Sequence, residues 1–138
     1  MEKKKSVKPK QIIGRRETVD FPELGLAGIS AKIDTGAYSS TLHCRDIQVS
    51  DGPQKILSFK VLGSTEKEIQ FKAFSQKKIK NSFGEAEKRY VIKTKIKIAG
   101  RLIKSIISLT DRGNMRYPVL IGRKLLKNKF VVDVSLKN

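Results

Sequence analysis

The chain has 138 residues, 38% of them hydrophobic and ten of them glycine, enough for one domain with a real core but too short for two comfortable lobes. No apolar run approaches the roughly 20 residues of a membrane span, and no basic start, apolar stretch and small-residue cleavage site occur together, so neither an anchor nor a secretory signal is expected. Thirty Lys and Arg against thirteen Asp and Glu give a net charge of +17, which points to a polyanionic partner, nucleic acid or an acidic peptide, while the single Cys44 offers no intrachain disulfide and fits a reducing cytoplasm.

Residues 1–10, MEKKKSVKPK, carry five lysines and almost nothing to bury, which predicts a disordered basic tail ahead of one domain over 11–138. A first strand is expected from Gln11 to Val19, with Pro22 unsuited to a ladder, and a second along GLAGISAKID. KILSFKVLG alternates Leu57, Phe59 and Val61 against Ser58 and Lys60, and EIQFKAF repeats the pattern with Ile69, Phe71 and Ala73. In KNSFGEAEKR the glycine and polar residues predict an exposed hairpin tip or loop centred on Gly84. YVIKTKIKI puts Tyr90, Ile92, Thr94, Ile96 and Ile98 on one face and Lys93, Lys95 and Lys97 on the other. An Ala-Gly turn then returns the chain along RLIKSIISLT as a hairpin partner. IGRKLLKNKF reads as a helix of two or three turns, and FVVDV as a closing strand. Many short strands and one late helix predict a mainly β domain, a small closed barrel.

Several chemistries lack their residues. There is no G-x-x-x-x-G-K-[ST] to cradle phosphates, so no ATP site is expected. A zinc site needs three or four converging ligands, and the one His and one Cys are neighbours, His43 and Cys44, which a strand would point to opposite faces. No cofactor or metal is therefore expected. A nucleophile elbow G-x-S-x-G is also missing.

The stretch IDTGAYSS has two readings. As a turn, Asp34 and Thr35 are turn formers, Gly36 supplies a positive φ, and the serines cap. As a site, Asp34 ends a buried strand, with Thr35 and Gly36 fixing its carboxylate. Beside an identical carboxylate it would share one proton, one oxygen activating water and another protonating the substrate. The late stretch RYPVLIGRKLL favours the second reading, because Leu120-Ile121-Gly122 forms a hydrophobic-hydrophobic-glycine step on a strand leading into the helix.

With D-T-G-A early and V-L-I-G-R late, the chain resembles retroviral-type aspartic proteases, in which the two elements cross beneath the active site. GRRETVDFPELGLAGISAKIDTGAYSSTLHC and TDRGNMRYPVLIGRKLL together resemble a bacterial retropepsin-like family often labelled ATP-dependent zinc proteases, whose genes accompany RimK-type glutamate ligases. The resemblance runs from Gln11 to Val134 and implies a retropepsin-like β-barrel. It also implies removal of oligoglutamate tails that the ligase adds to a ribosomal protein.

By that resemblance Asp34 is the catalytic aspartate, held by Thr35 and Gly36. Ser39, Ser40 and His43 fall in the family's stretch after D-T-G-A, and Arg89, Arg116 and Arg123 in its basic positions. These six are the candidate substrate-binding residues, the arginines suiting bidentate contacts to glutamate side chains. One D-T-G per chain implies a homodimer with Asp34 of each copy at the two-fold axis. A different class also fits the charge: a non-catalytic basic β-barrel that binds RNA or the ribosome, with steeply salt-dependent affinity. Against it, most of the aromatic residues fall at inward strand positions rather than on a stacking platform.

Overall fold

The regular alternation in the sequence becomes a strand-built fold in a computed structural model that describes residues 9–61, 67–80, 83–111 and 116–138. Most of the expected basic tail lies outside the described residues. The elements in order are β1 (Gln11–Phe21), a 3-10 turn (Pro22–Leu24), β2 (Leu26–Ile33), β3 (Ser40–Val49), β4 (Leu57–Val61) and β5 (Glu68–Phe71). They continue with β6 (Ser75–Lys80), β7 (Ala86–Ile98), β8 (Arg101–Thr110), β9 (Val119–Ile121), α1 (Arg123–Leu126) and β10 (Phe130–Lys137). Among the described residues, no helix is long and apolar enough to cross a membrane.

The strands pair in the order β10-β1-β2-β9-β3-β8-β7-β6, and an extra pairing of β1 with β7 through Val19↔Ile98 and Asp20↔Lys97 joins the path to itself. The pairings β1-β2-β9-β3-β8-β7-β1 thus form a ring. β10 lies outside it against β1, β6 outside it against β7, and β4 and β5 extend from β3. Ile29, Ala31 and Ile33 of β2 turn inward in strict alternation and meet Ile96, Ile107 and Ile121 in one apolar core. The β7 pattern is realised as expected: Ile92, Thr94, Ile96 and Ile98 are buried, and Lys93 and Lys97 are exposed. Ala99 (φ 50) and Gly100 (φ 77) close the β7–β8 hairpin between Ile98 and its partner Arg101, the two left-handed residues that a primed two-residue turn requires.

Three expectations need correction. The late helix is a single turn rather than two or three. The chain leaves it at Lys127 (ψ 129) and passes through a left-handed Asn128, because Gln11 must meet Phe130 at the start of the β1–β10 ladder. The loop expected across KNSFGEAEKR is shorter, since Ala86 to Arg89 already pair with β6. Gly36 is not in the left-handed region either. Its value is closeness: a Cβ there would stand 3.3 Å from Asp34 Oδ1.

Ile107 is fully buried at the centre of β8, between β3 and β7. Replacing it with Ala leaves a cavity that the surrounding strands cannot fill, with an expected loss of about 2–5 kcal/mol, measured as a lowered urea midpoint at unchanged slope.

Candidate active site

Ile33 is the last inward residue of β2, so the next position, Asp34, falls on the outward parity and is half-buried, with Thr35 and Gly36 exposed beyond it. The chain turns at once. The Ala37 N–H donates to the Asp34 carbonyl at 3.2 Å, and the Gly36 N–H donates to Asp34 Oδ1 at 3.0 Å. This is an Asx-type turn in which the side chain itself accepts a backbone donor. One carboxylate oxygen is thereby oriented by the loop; among the described residues no donor reaches Oδ2.

The loop is laced to the end of β9. β9 lies between β2, which it pairs in parallel through Ile33↔Ile121, and β3, which it pairs through Thr41↔Leu120. The Asp34 N–H donates to the Ile121 carbonyl at 2.8 Å, extending that ladder one residue into the motif. The Gly122 N–H donates to Ser40 Oγ at 3.1 Å. The N–H groups of Arg123 and Lys124, which open α1, donate to the carbonyls of Ala37 and Tyr38 at 2.9 and 3.0 Å. First-turn helix donors usually need a side-chain cap. Gly122 has none to give, and the Asp34 loop caps α1 with its own carbonyls.

Each of the other candidate residues has a definite place. Ser39 is half-buried, with its carbonyl against Gly122, and Ser40 is buried. Ser40 accepts from Gly122, and its carbonyl faces Ser108 Oγ at 3.4 Å. His43 is 1% exposed, its backbone N–H on the Pro118 carbonyl at 2.7 Å. Arg89 is drawn inward on β7: its side chain is 10% exposed, ion-paired through Nε to Glu87, with Nη1 3.4 Å from Ser108 Oγ. Ser108 also lies 3.2 Å from Thr41 Oγ1, so β3, β7 and β8 share a polar layer under the loop. Arg123, by contrast, is exposed beside the motif, donating from Nη1 to the Thr35 carbonyl at 2.9 Å and lying over the Tyr38 ring at 5.9 Å. Arg116 is exposed and lies over Tyr117 at 5.7 Å. A hydrogen bond from Arg16 holds the Tyr117 phenol below its usual range, and the charges of Arg116 and Arg15 add to that.

The structure brings together Asp34, Thr35, Gly36, Ser39, Ser40 and Arg123. It gives Arg89 and His43 interior positions. Tyr38, 60% exposed over the loop and carrying Arg123 on its face, was missed in the sequence. Its signal was the one aromatic in IDTGAYSS. Among the described residues, no three His, Cys, Asp or Glu side chains converge as a metal site requires.

A D-T-G loop whose backbone is stitched to a hydrophobic-glycine strand and to the turn of helix after it defines the retropepsin-like class of aspartic endopeptidase folds. The chain belongs to the RimB-like family of retropepsin-like aspartic endopeptidases, whose model matches residues 12–138. It is similar to proteins named probable alpha-L-glutamate ligase, 36% identical over 132 residues in Shewanella pealeana and 31% identical over 134 residues in Desulfotalea psychrophila. Those alignments take in 91% and 93% of this chain, which spans 29% of the length of each relative. The crystal structure of a Legionella pneumophila protein of unknown function is also similar, with a TM-score of 0.70 and 27% identity over 94% of this chain and 97% of that one.

Two outcomes follow from this geometry. A Cβ on Gly122 would stand 2.5 Å from the Ser39 carbonyl oxygen and 2.6 Å from that of Tyr38. Gly122→Ala must therefore push the Asp34 loop off β9, at an expected cost of about 2–4 kcal/mol, read from chemical denaturation. Cys44 is fully buried, and burial, with the Asp111 charge adding to it, drives its thiol far above the ordinary thiol range. A raised value keeps the thiol protonated through neutral and mildly alkaline pH. At pH 8 the native protein should not react with an aromatic disulfide reagent, whereas the urea-unfolded chain should react stoichiometrically.

Proposed function

We propose that this chain is an aspartic peptidase that works as a homodimer, its six-strand ring a retropepsin-type barrel and its substrate a glutamate-rich polypeptide. The observation that carries this reading is the state of Asp34: half-exposed at the mouth of the fold, one oxygen held by the Gly36 N–H, and its backbone tied to β9. A carboxylate spent on the turn alone would have no need of a second strand and a helix end bound to the same six residues. One carboxylate cannot take the proton of water and protonate the substrate carbonyl in the same step. Two copies with Asp34 facing across a two-fold axis supply both roles.

The chemistry then runs as follows. Two neighbouring carboxyl groups share one proton, since both cannot ionise at close range. The ionised Asp34 takes a proton from a water held between the pair, and the oxygen of that water forms a bond to the scissile carbonyl carbon. The protonated Asp34 of the other copy gives its proton to the carbonyl oxygen. The resulting tetrahedral diol breaks its C–N bond as the nitrogen receives the proton that the first aspartate collected. At the same time one diol hydroxyl returns its proton to the Asp34 of the other copy, which re-forms the C=O and restores the shared-proton pair. Thr35 and Gly36 orient the carboxylate, and Ser40 accepts from the Gly122 N–H beneath the loop.

Three facts support an acidic substrate. The chain carries +17, the exposed Arg123 lies beside the motif, and relatives containing a similar segment are named as glutamate ligases. A ligase that builds glutamate chains and a peptidase that trims them would share one polymer, which is the functional link to a RimK-type enzyme that we propose. Arg123 and Arg116 would receive glutamate side chains by charge-assisted hydrogen bonds. Arg89, its side chain 10% exposed and paired with Glu87, would meet a glutamate only after giving up that partner.

Asp34→Asn keeps the shape of the loop but removes the base. Cleavage of a glutamate-extended peptide should fall roughly 10^3-fold with an unchanged melting temperature, read by mass spectrometry and calorimetry; a variant that still cuts ends the assignment. If Asp34 is shared between copies, specific activity should fall on dilution in step with the loss of dimer by analytical ultracentrifugation. Activity that stays constant into the monomer range would remove the dimer from the mechanism.

A further inference from the structure

β6 (Ser75–Lys80) pairs only with β7 among the described residues, so it is the last strand of the sheet and one whole side of its backbone is an open ladder edge. Every residue of β6 is exposed except the half-buried Ile79. The strand contains no proline and no carboxylate, and half of it is lysine: Lys77, Lys78 and Lys80. Its surroundings have the same sign, since residues 72–104 hold eleven Lys or Arg and only Glu85 and Glu87, with Glu87 already paired to Arg89.

Lysines along an open edge keep a strand from pairing with a second copy of its own basic chain. The same lysines attract an acidic strand. The register with β7 places Lys78 beside Lys88 on one face of the sheet and Lys77 beside Arg89 on the other. A polypeptide added along the free edge would send its side chains alternately to those two faces. Consecutive glutamates would then find a cation on either side, with Lys78 and Lys80 on one face and Lys77 on the other. An isolated polyglutamate chain resists extension into a sheet through its own repulsion, and a comb of ammonium groups removes that obstacle.

We propose that the open edge of β6 is a second binding site, separate from Asp34, that takes a glutamate-rich polypeptide by strand addition. The choice of an acidic peptide rests on the substrate class proposed above. The edge supplies backbone donors and acceptors in strand spacing, which an extended peptide can match and a sugar-phosphate backbone cannot. Nor does β6 carry an aromatic side chain on which bases could stack. Such a site would hold a long acidic tail while its end is worked on at the Asp34 loop, and would favour tails over short peptides.

The test uses the full chain carrying Asp34→Asn, so that binding is read without cleavage, and a fluorescent α-linked oligoglutamate about six to eight residues long, enough to span β6 at about 3.3 Å per residue. Two further peptides are N-methylated at alternate amides, in one phase or the other. Strand addition predicts that one phase binds about tenfold more weakly and the other as well as the parent, because only alternate N–H groups face the ladder. It also predicts that Lys77→Gln/Lys78→Gln/Lys80→Gln weakens the parent peptide about tenfold at an unchanged melting temperature. Equal affinity for all three peptides would overturn the proposal, leaving plain charge attraction, and so would a uridine oligonucleotide of equal charge bound as tightly and lost in the same triple variant. Adding the three Gln changes to the active chain separates this idea from the peptidase reading. Long tails cut with an unaltered KM would sink the β6 site and leave the peptidase standing; phase-selective binding with no cleavage by the unmodified chain would do the reverse.

Discussion

The structure turns on the place where Gly122 passes under the Asp34 loop. The carbonyls of Tyr38 and Ser39 lie so close that no side chain fits, and the backbone N–H groups of Asp34, Gly122, Arg123 and Lys124 are all bound across this crossing. β9 is only three residues long, yet it pairs on both sides, with β2 and with β3. Without it the ring would open between the strand that leads into Asp34 and the strand that begins at Ser40. The capped helix turn and the backbone anchoring of Asp34 are built on that one close contact, while the carboxylate itself is held by the local Gly36 N–H.

The carboxylates explain why so much positive charge remains on the surface. With thirteen acids against thirty cations, the acids could have been used for ion pairs, but many serve the backbone instead. Buried Glu17 accepts from the Gly14 N–H and the Asn138 side chain, next to a close approach of Gly14 to Leu136. Asp20 accepts from Gly28, Glu23 from Thr94 and Lys95, Asp34 from Gly36, and Asp133 from Ser135. Each closes a bend or an edge that the ladders leave unsatisfied. Apart from the Lys60–Asp46 pair, few acids among the described residues are spent on lysines, so the excess of cations set by the composition meets solvent or an anionic partner.

What the sequence disclosed followed the physics of each element. β2 and the second half of β7 each bury one face, so their alternation could be read directly, and Ala99-Gly100 announced its turn. β3 could not be read, because Ser40 to Cys44 are all buried and no alternation survives when both faces of a strand are covered. β6 failed for the opposite reason: with nothing to bury, SQKKIK has the composition of a loop, and only its pairing with β7 makes it a strand. The helix was overestimated because Leu125 and Leu126 give the right spacing, while its length is set by a ladder between residues far apart in sequence. At the site, the conjunction of D-T-G with L-I-G was legible, but the inward turn of Arg89 toward Glu87 and the perch of Arg123 on Tyr38 depend on contacts between strands that no local pattern encodes.

The insertion of β9 between two strands formed from residues roughly eighty to ninety positions earlier also has a temporal side. Parallel pairing with β2 and closure against β3 both require long loops to be brought together, which is slow and comes late in folding. Until Ile121 and Gly122 are in place, the Asp34 N–H has no ladder acceptor, and α1 has no cap. A chain emerging from synthesis would expose the D-T-G segment early yet keep it unassembled until nearly the whole domain is available, so the order of folding itself withholds the site from the unfinished molecule.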